Sequence, residues 1–182
     1  AKITDNLSFG AAFDIQYAKV DFNSYASVAA GGAFVFPTIS TNHGDSIGFG
    51  GHLGFLYQVN KNTRLELNYQ SPVGHKFTGK STFNGPLASN PVGTPTTVIS
   101  NSLFSDPVSM PGQITFSGTH ILNSAFTFTS TVAYVQWNVF KEIVLNNVAS
   151  ISNTRVNAAI PENFKNTWRL AAGAKYKVSD KV

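Results

Sequence analysis

Between Leu7 and Tyr17 every second residue is apolar or aromatic: Leu7, Phe9, Ala11, Phe13, Ile15 and Tyr17 alternate with Ser8, Gly10, Ala12, Asp14 and Gln16. Successive side chains of a β-strand point to opposite faces, so this pattern gives one apolar face and one small or polar face. The run also has the ~9–11 residues that a tilted strand needs to cross a bilayer. After Tyr17 the phase slips, as it would where the strand leaves lipid.

The pattern recurs. Ile47, Phe49, Gly51, Leu53, Phe55, Tyr57 and Val59 face one way against Gly48, Gly50, His52, Gly54 and Gln58, and Asn60, Lys61 and Asn62 turn the chain. Leu65, Leu67, Tyr69, Val73 and Phe77 form the next apolar row, opposite Arg64, Glu66, Asn68, Gln70 and Lys76. A second hairpin runs from Gln113 through a turn at Leu122 to Ala125 and on to Tyr134, and the last strand alternates from Trp168 to Val178.

Charged residues make up 12% of the chain, about half the globular average, against 15 Phe, 6 Tyr and 2 Trp. No run approaches the ~18 apolar residues of a spanning helix, so lipid-facing strands must close into a barrel. The connections alternate between long (Asn23 to Asp45, Lys80 to Pro111, Asn146 to Asn163) and short (Asn60 to Asn62, Leu122 to Ala125), as periplasmic turns and extracellular loops do. The expected fold is therefore all-β, an antiparallel transmembrane barrel of which residues 1–182 supply about six strands. Six cannot close, since such barrels start at about eight, so the domain is partial and strands are expected on both sides.

Lys and Arg are scattered and the net charge is +4, so no nucleic-acid partner is expected. The absence of Cys removes disulfides and thiol chemistry, and suits passage through an oxidising periplasm. His43, His52, His75 and His120 lack ligand spacing and no nucleophile motif occurs, so neither enzyme, metal nor cofactor is expected. Arg64, Glu66 and Arg169, with Lys175, lie on the polar rows and line the lumen. They fill it structurally, or the cations meet an anionic ligand. The long loops are apolar, with Phe34 and Phe36 in the first and Leu103, Phe104, Val108 and Met110 in the second. Exposed apolar residues of this kind form a ligand-binding surface or pack into a loop cap.

The segments Gly54-Phe55-Leu56-Tyr57, Tyr69-Gln70-Ser71-Pro72-Val73, Trp137-Asn138-Val139-Phe140-Lys141 and Asn163-Phe164-Lys165-Asn166-Thr167-Trp168-Arg169, in that order, resemble the FadL/TodX-type outer-membrane transporters. The resemblance implies a fourteen-stranded, monomeric barrel with an N-terminal hatch that this chain lacks. It further implies uptake of long-chain fatty acids or hydrocarbons, a groove among the outer loops, and exit sideways through the wall. Relatives that take fatty acids tend to carry an arginine after the first strand; this chain has Ser24, leaving Arg155 as the substitute and neutral hydrocarbons as an alternative ligand. The other readings are a general porin or surface-adhesion barrel in the same membrane, and a soluble β-sandwich. Expected partners are a hydrophobic small molecule and outer-membrane lipid.

Overall fold

The computed structural model describes residues 1–27, 29–30, 33–34, 37–89 and 97–178. Its strands in chain order are β1 (Leu7–Ala26), β2 (Ala29–Ala30), β3 (Ala33–Phe34), β4 (Thr38–Asn60), β5 (Thr63–Gln70), β6 (Val73–His75) and β7 (Thr78–Gly85). There follow β8 (Thr97–Ser105), β9 (Val108–Met110), β10 (Gln113–Ile121), β11 (Phe126–Val135), β12 (Glu142–Ser150), β13 (Thr154–Pro161) and β14 (Thr167–Tyr176). No described helix is long and apolar enough to cross a membrane.

The strands form two levels. On the lower level β1, β4, β5, β10, β11 and β14 pair in that order, all antiparallel. These are the six strands expected from the alternation, and both short turns fall where expected, between β4 and β5 and between β10 and β11. Their outer rows expose Phe13, Tyr17, Phe49, Phe55, Phe116, Phe128, Trp168 and Leu170. Aromatics meet across neighbouring strands near both ends of this band, with ring centroids 4.6 Å apart for Phe126 and Tyr176 and 4.8 Å apart for Tyr134 and Trp168. Such pairs add roughly 0.2–1 kcal/mol each and sit where interfacial girdles form.

On the upper level the same succession continues as β1, β4, β7, β8, β12 and β13. The sequence pattern predicts long loops for most of this level, yet the described parts of residues 80–111 and 146–163 are largely strand. Some of their apolar residues form cores, while Val98, Phe104, Ile151 and Val156 stay exposed. Phe83, Leu87, Ala88, Ile99 and Ala149 make one cluster; Leu103, Leu145 and Val148 make another, with Phe22, Ile143 and Ala158 against it.

β12 touches β8 through two residue pairs and then bulges at Asn146 and Asn147, the latter at φ 65°. Its end crosses to β7, where Ala149 N donates to Ser81 Oγ at 2.9 Å. Ser81 Oγ donates in turn to Asn42 Oδ1 at 2.6 Å, and Asn42 Nδ2 donates to Phe22 O at 3.1 Å. This buried relay ties β12, β7, β4 and β1 together, and it satisfies polar groups that would otherwise cost about 1–3 kcal/mol each.

Between the levels runs a belt of broken strand at residues 71–77, 106–112, 136–141 and 162–166. Pro72, Pro107 and Pro111 mark it, since proline cannot donate to a ladder. β1 and β4 pass through the belt unbroken.

Outward Leu170 and lumen-facing Thr129 report which face meets lipid. Leu170→Arg is expected to lower the stability of the intact protein by about 2–4 kcal/mol, and Thr129→Arg by less than half of that, in urea unfolding from lipid vesicles.

Candidate functional site

β4 has strand partners on its second flank at both ends but not in the middle. Its residues from His52 onward pair with β5, and Ile39 to Asp45 pair with β7. Between them, Ser46 to Gly51 face no strand on that flank, a stretch of about 20 Å at the usual rise. The chain that should fill this gap, residues 71–77, folds inward instead and makes β6, which pairs with β9 from Val73↔Met110 to His75↔Val108. The gap is closed at its ends by Ser71 N donating to Gly51 O at 2.9 Å and Lys76 N donating to Ser46 Oγ at 3.0 Å.

Two glycines permit this. A Cβ on Gly48 would lie 2.6 Å from Val73 Cγ1 and 2.7 Å from Gly74 O, and one on Gly50 would lie 2.7 Å from Val73 Cγ2. β6 therefore rests directly on the backbone of β4. Val73, His75 and Phe77 are buried there, which corrects the outer row given to Val73 and Phe77: the alternation ends at Gln70, and their apolar side chains pack inside.

The fold leaves a notch of about 530 Å³ lined by Asp45, Ser46, Ile47, Gly74, His75, Lys76, Thr78 and Pro107. Its deep residue is His75, whose ring stacks on Phe77 at 5.8 Å and whose Nε2 lies 2.9 Å from Gln16 Oε1. A second cleft, of about 440 Å³, lies higher between β1 and β13, lined by Asp21 to Ser24, Ser40, Asn42, Leu145, Val148, Ala158 and Ile160.

The residues expected to bind ligand are divided by this arrangement. Phe104, Val108 and Met110 pair with Thr78, His75 and Val73, so they stand on the strands flanking the notch. Val108 is buried, and Leu103 belongs to the core under the second cleft. Phe34 pairs with Ala29 in the β2–β3 hairpin, and Phe36 lies outside the described residues. Arg64 Nε and Glu66 Oε1 form an exposed pair at 2.9 Å near the short turns. Arg169 sits on β14 with β10 and β11 between it and β5, about 14 Å of sheet, so the two arginines do not converge. The notch histidine is visible in the sequence as an isolated His; its hydrogen-bond partner Gln16 lies 59 residues away and carries no local signal.

Above the apolar band His43 Nδ1 lies 2.6 Å from Asp21 Oδ1 across the β1–β4 ladder. The His43 hydrogen bond foremost, with the Lys19 and His43 charges, holds the Asp21 carboxyl below its ordinary range, while partial desolvation works the other way. A depressed carboxyl stabilises the fold above its unfolded pKa, and that contribution is lost as pH falls through the folded value.

A membrane-spanning wall with one strand folded into the lumen defines a class: an outer-membrane barrel protein built around a break in its own side. A family model described as outer membrane protein transport protein (OMPP1/FadL/TodX) matches residues 2–182, and the chain belongs to that family. It is a protein of the bacterial outer membrane. A long-chain fatty acid transport protein of Salmonella typhi is 27% identical over 98% of this chain and 44% of its own length. The fold matches a Pseudomonas aeruginosa FadL homologue with a TM-score of 0.80 at 18% identity, covering 98% of this chain and 44% of that one. It matches the Ralstonia pickettii toluene transporter TbuX with a TM-score of 0.73 at 22% identity, covering 97% and 49%. The chain thus spans less than half the length of these relatives.

Two outcomes follow from this geometry. Gly48→Val is expected to push β6 off β4 and to cost about 1–3 kcal/mol in urea unfolding, with faster proteolysis between Ser71 and Phe77. In carboxyl-carbon NMR titrations Asp21 is expected to protonate below the ordinary aspartate range, and His43→Ala to return it upward; an unmoved midpoint would refute the pairing.

Proposed function

We propose that this chain is the part of an outer-membrane channel that admits hydrophobic small molecules and releases them sideways through its wall. The observation that carries this reading is the inward fold of residues 71–77, which leaves Ser46 to Gly51 without a strand partner on their second flank, beside the notch. Backbone at membrane depth needs a partner, so a break kept open there carries a cost that a plain porin has no reason to bear. The names of the relatives, a fatty acid transport protein and a toluene transporter, support the same class of cargo. In this reading residues 1–182 are a partial barrel domain, the hatch and further strands belong to the intact protein, and the role is transport rather than catalysis.

The cleft between β1 and β13 serves as the outer capture surface. Phe22, Leu145, Val148, Ala158 and Ile160 desolvate the ligand, and the polar groups beside them are the Asp21 carboxylate and the hydroxyls and amides of Asn23, Ser24, Ser40 and Asn42. No Lys or Arg lines this cleft, and Arg155 falls on the opposite face of β13 from Ala158 and Ile160 by alternation. A carboxylate finds no counter-ion there, which favours neutral cargo over fatty acid anions at this step.

Uptake of a labelled hydrophobic probe into vesicles holding the intact protein tests the reading. Ile47→Arg, at the mouth of the notch, is expected to slow uptake at least about tenfold, and Phe22→Asp to weaken saturable binding by a similar factor, while Arg64→Gln changes neither. Unaltered uptake by Ile47→Arg, together with conductance to small hydrophilic solutes in planar bilayers, would replace the proposal with a general porin.

A further inference from the structure

His75 is chemically out of place. It is 1% exposed, packed between Phe77 and the backbone of β4, and it lines the notch. One ring nitrogen is satisfied: Nε2 faces Gln16 Oε1 at 2.9 Å, and because an amide oxygen accepts, Nε2 carries the proton. Nδ1 is then a bare lone pair, and it has no hydrogen-bond partner. His43 and His52 have Asp21 and Asp14 beside them, whereas no carboxylate pairs with His75 among the described residues. A buried imidazole without a counter-charge stays neutral, and an unsatisfied buried acceptor costs about 1–3 kcal/mol. A Phe at this position would stack on Phe77 without that cost.

We infer that His75 Nδ1 is a specificity-determining acceptor for cargo crossing the wall, and that it selects neutral lipophiles carrying a hydroxyl donor, such as a fatty alcohol or an undissociated fatty acid. This rests on the lateral-passage reading and names the cargo of the same notch. The apolar tail runs along Ile47 and Pro107, and the O–H of the head donates to Nδ1. The charges on the notch do not favour an anion as a whole, since Lys76 is accompanied by Asp45. A hydrocarbon would pass without relieving the unpaired nitrogen, and an ionised carboxylate would set two acceptors against each other.

The test uses the intact protein in lipid vesicles with four probes of equal chain length: 1-dodecanol, its methyl ether, dodecane and dodecanoic acid. Wild-type protein is expected to favour dodecanol over the ether by about tenfold in saturable uptake. His75→Phe is expected to abolish that preference, with dodecanol uptake falling about tenfold relative to dodecane uptake by the same variant. His75→Asn, which keeps an acceptor near the Nδ1 position, is expected to retain most of it, and heat-modifiable gel mobility reports that each variant is folded. Dodecanoic acid that follows dodecanol in its dependence on His75 is taken undissociated; acid uptake that depends on Lys76 alone overturns the inference. Equal loss of all four probes in His75→Phe, or no loss of any, also overturns it. If the wild-type protein takes up none of the four, the transport reading itself fails.

Discussion

The ladder between β1 and β4 is the constraint on which the rest of the structure depends. It runs in register from Leu7↔Tyr57 to Ala26↔Thr38 without a bulge. The remaining strands break at the belt between the two levels, and each half would be free to shift against the other without a rigid pair to hold both. In lipid the lower level must keep its backbone paired, while above it water and buried side chains offer other partners. The uninterrupted pair lets one sheet obey both rules.

The inward fold at residues 71–77 follows from that arrangement. Because β1 satisfies one flank of β4 along its length, the other flank can open at Ser46 to Gly51 without β4 coming adrift. Pro72 ends the β5 ladder, and Gly48 and Gly50 provide the room into which Val73 settles. The result is a break in the wall whose inner lining is fixed by packing. Fixed packing matters for a passage, because it holds polar groups such as His75 where they are rather than letting them retreat to water.

The upper level changes the place proposed for capture. Its apolar residues drew attention as loop surface, but Leu103, Ile99 and Leu87 are core, and the exposed face lies between β1 and β13, where Phe22, Ala158 and Ile160 meet. The Asn42–Ser81 relay shows why this was hidden. It joins four strands spread over more than a hundred residues, two of them only through the backbone of Phe22 and Ala149, and Asn42 and Ser81 alone are ordinary polar residues.

The sequence by itself determined the six lower strands, their outward faces and the two short turns, since alternation, strand length and turn residues are local properties that lipid enforces. The motifs that carry the family resemblance were legible for the same reason. What only the tertiary structure decided was the belt, the departure of Val73 and Phe77 from the wall, and the pairing of His75 with Gln16. Those depend on which distant backbone lies opposite, and a period of two cannot report whether the space beside a glycine is lipid, lumen or another strand.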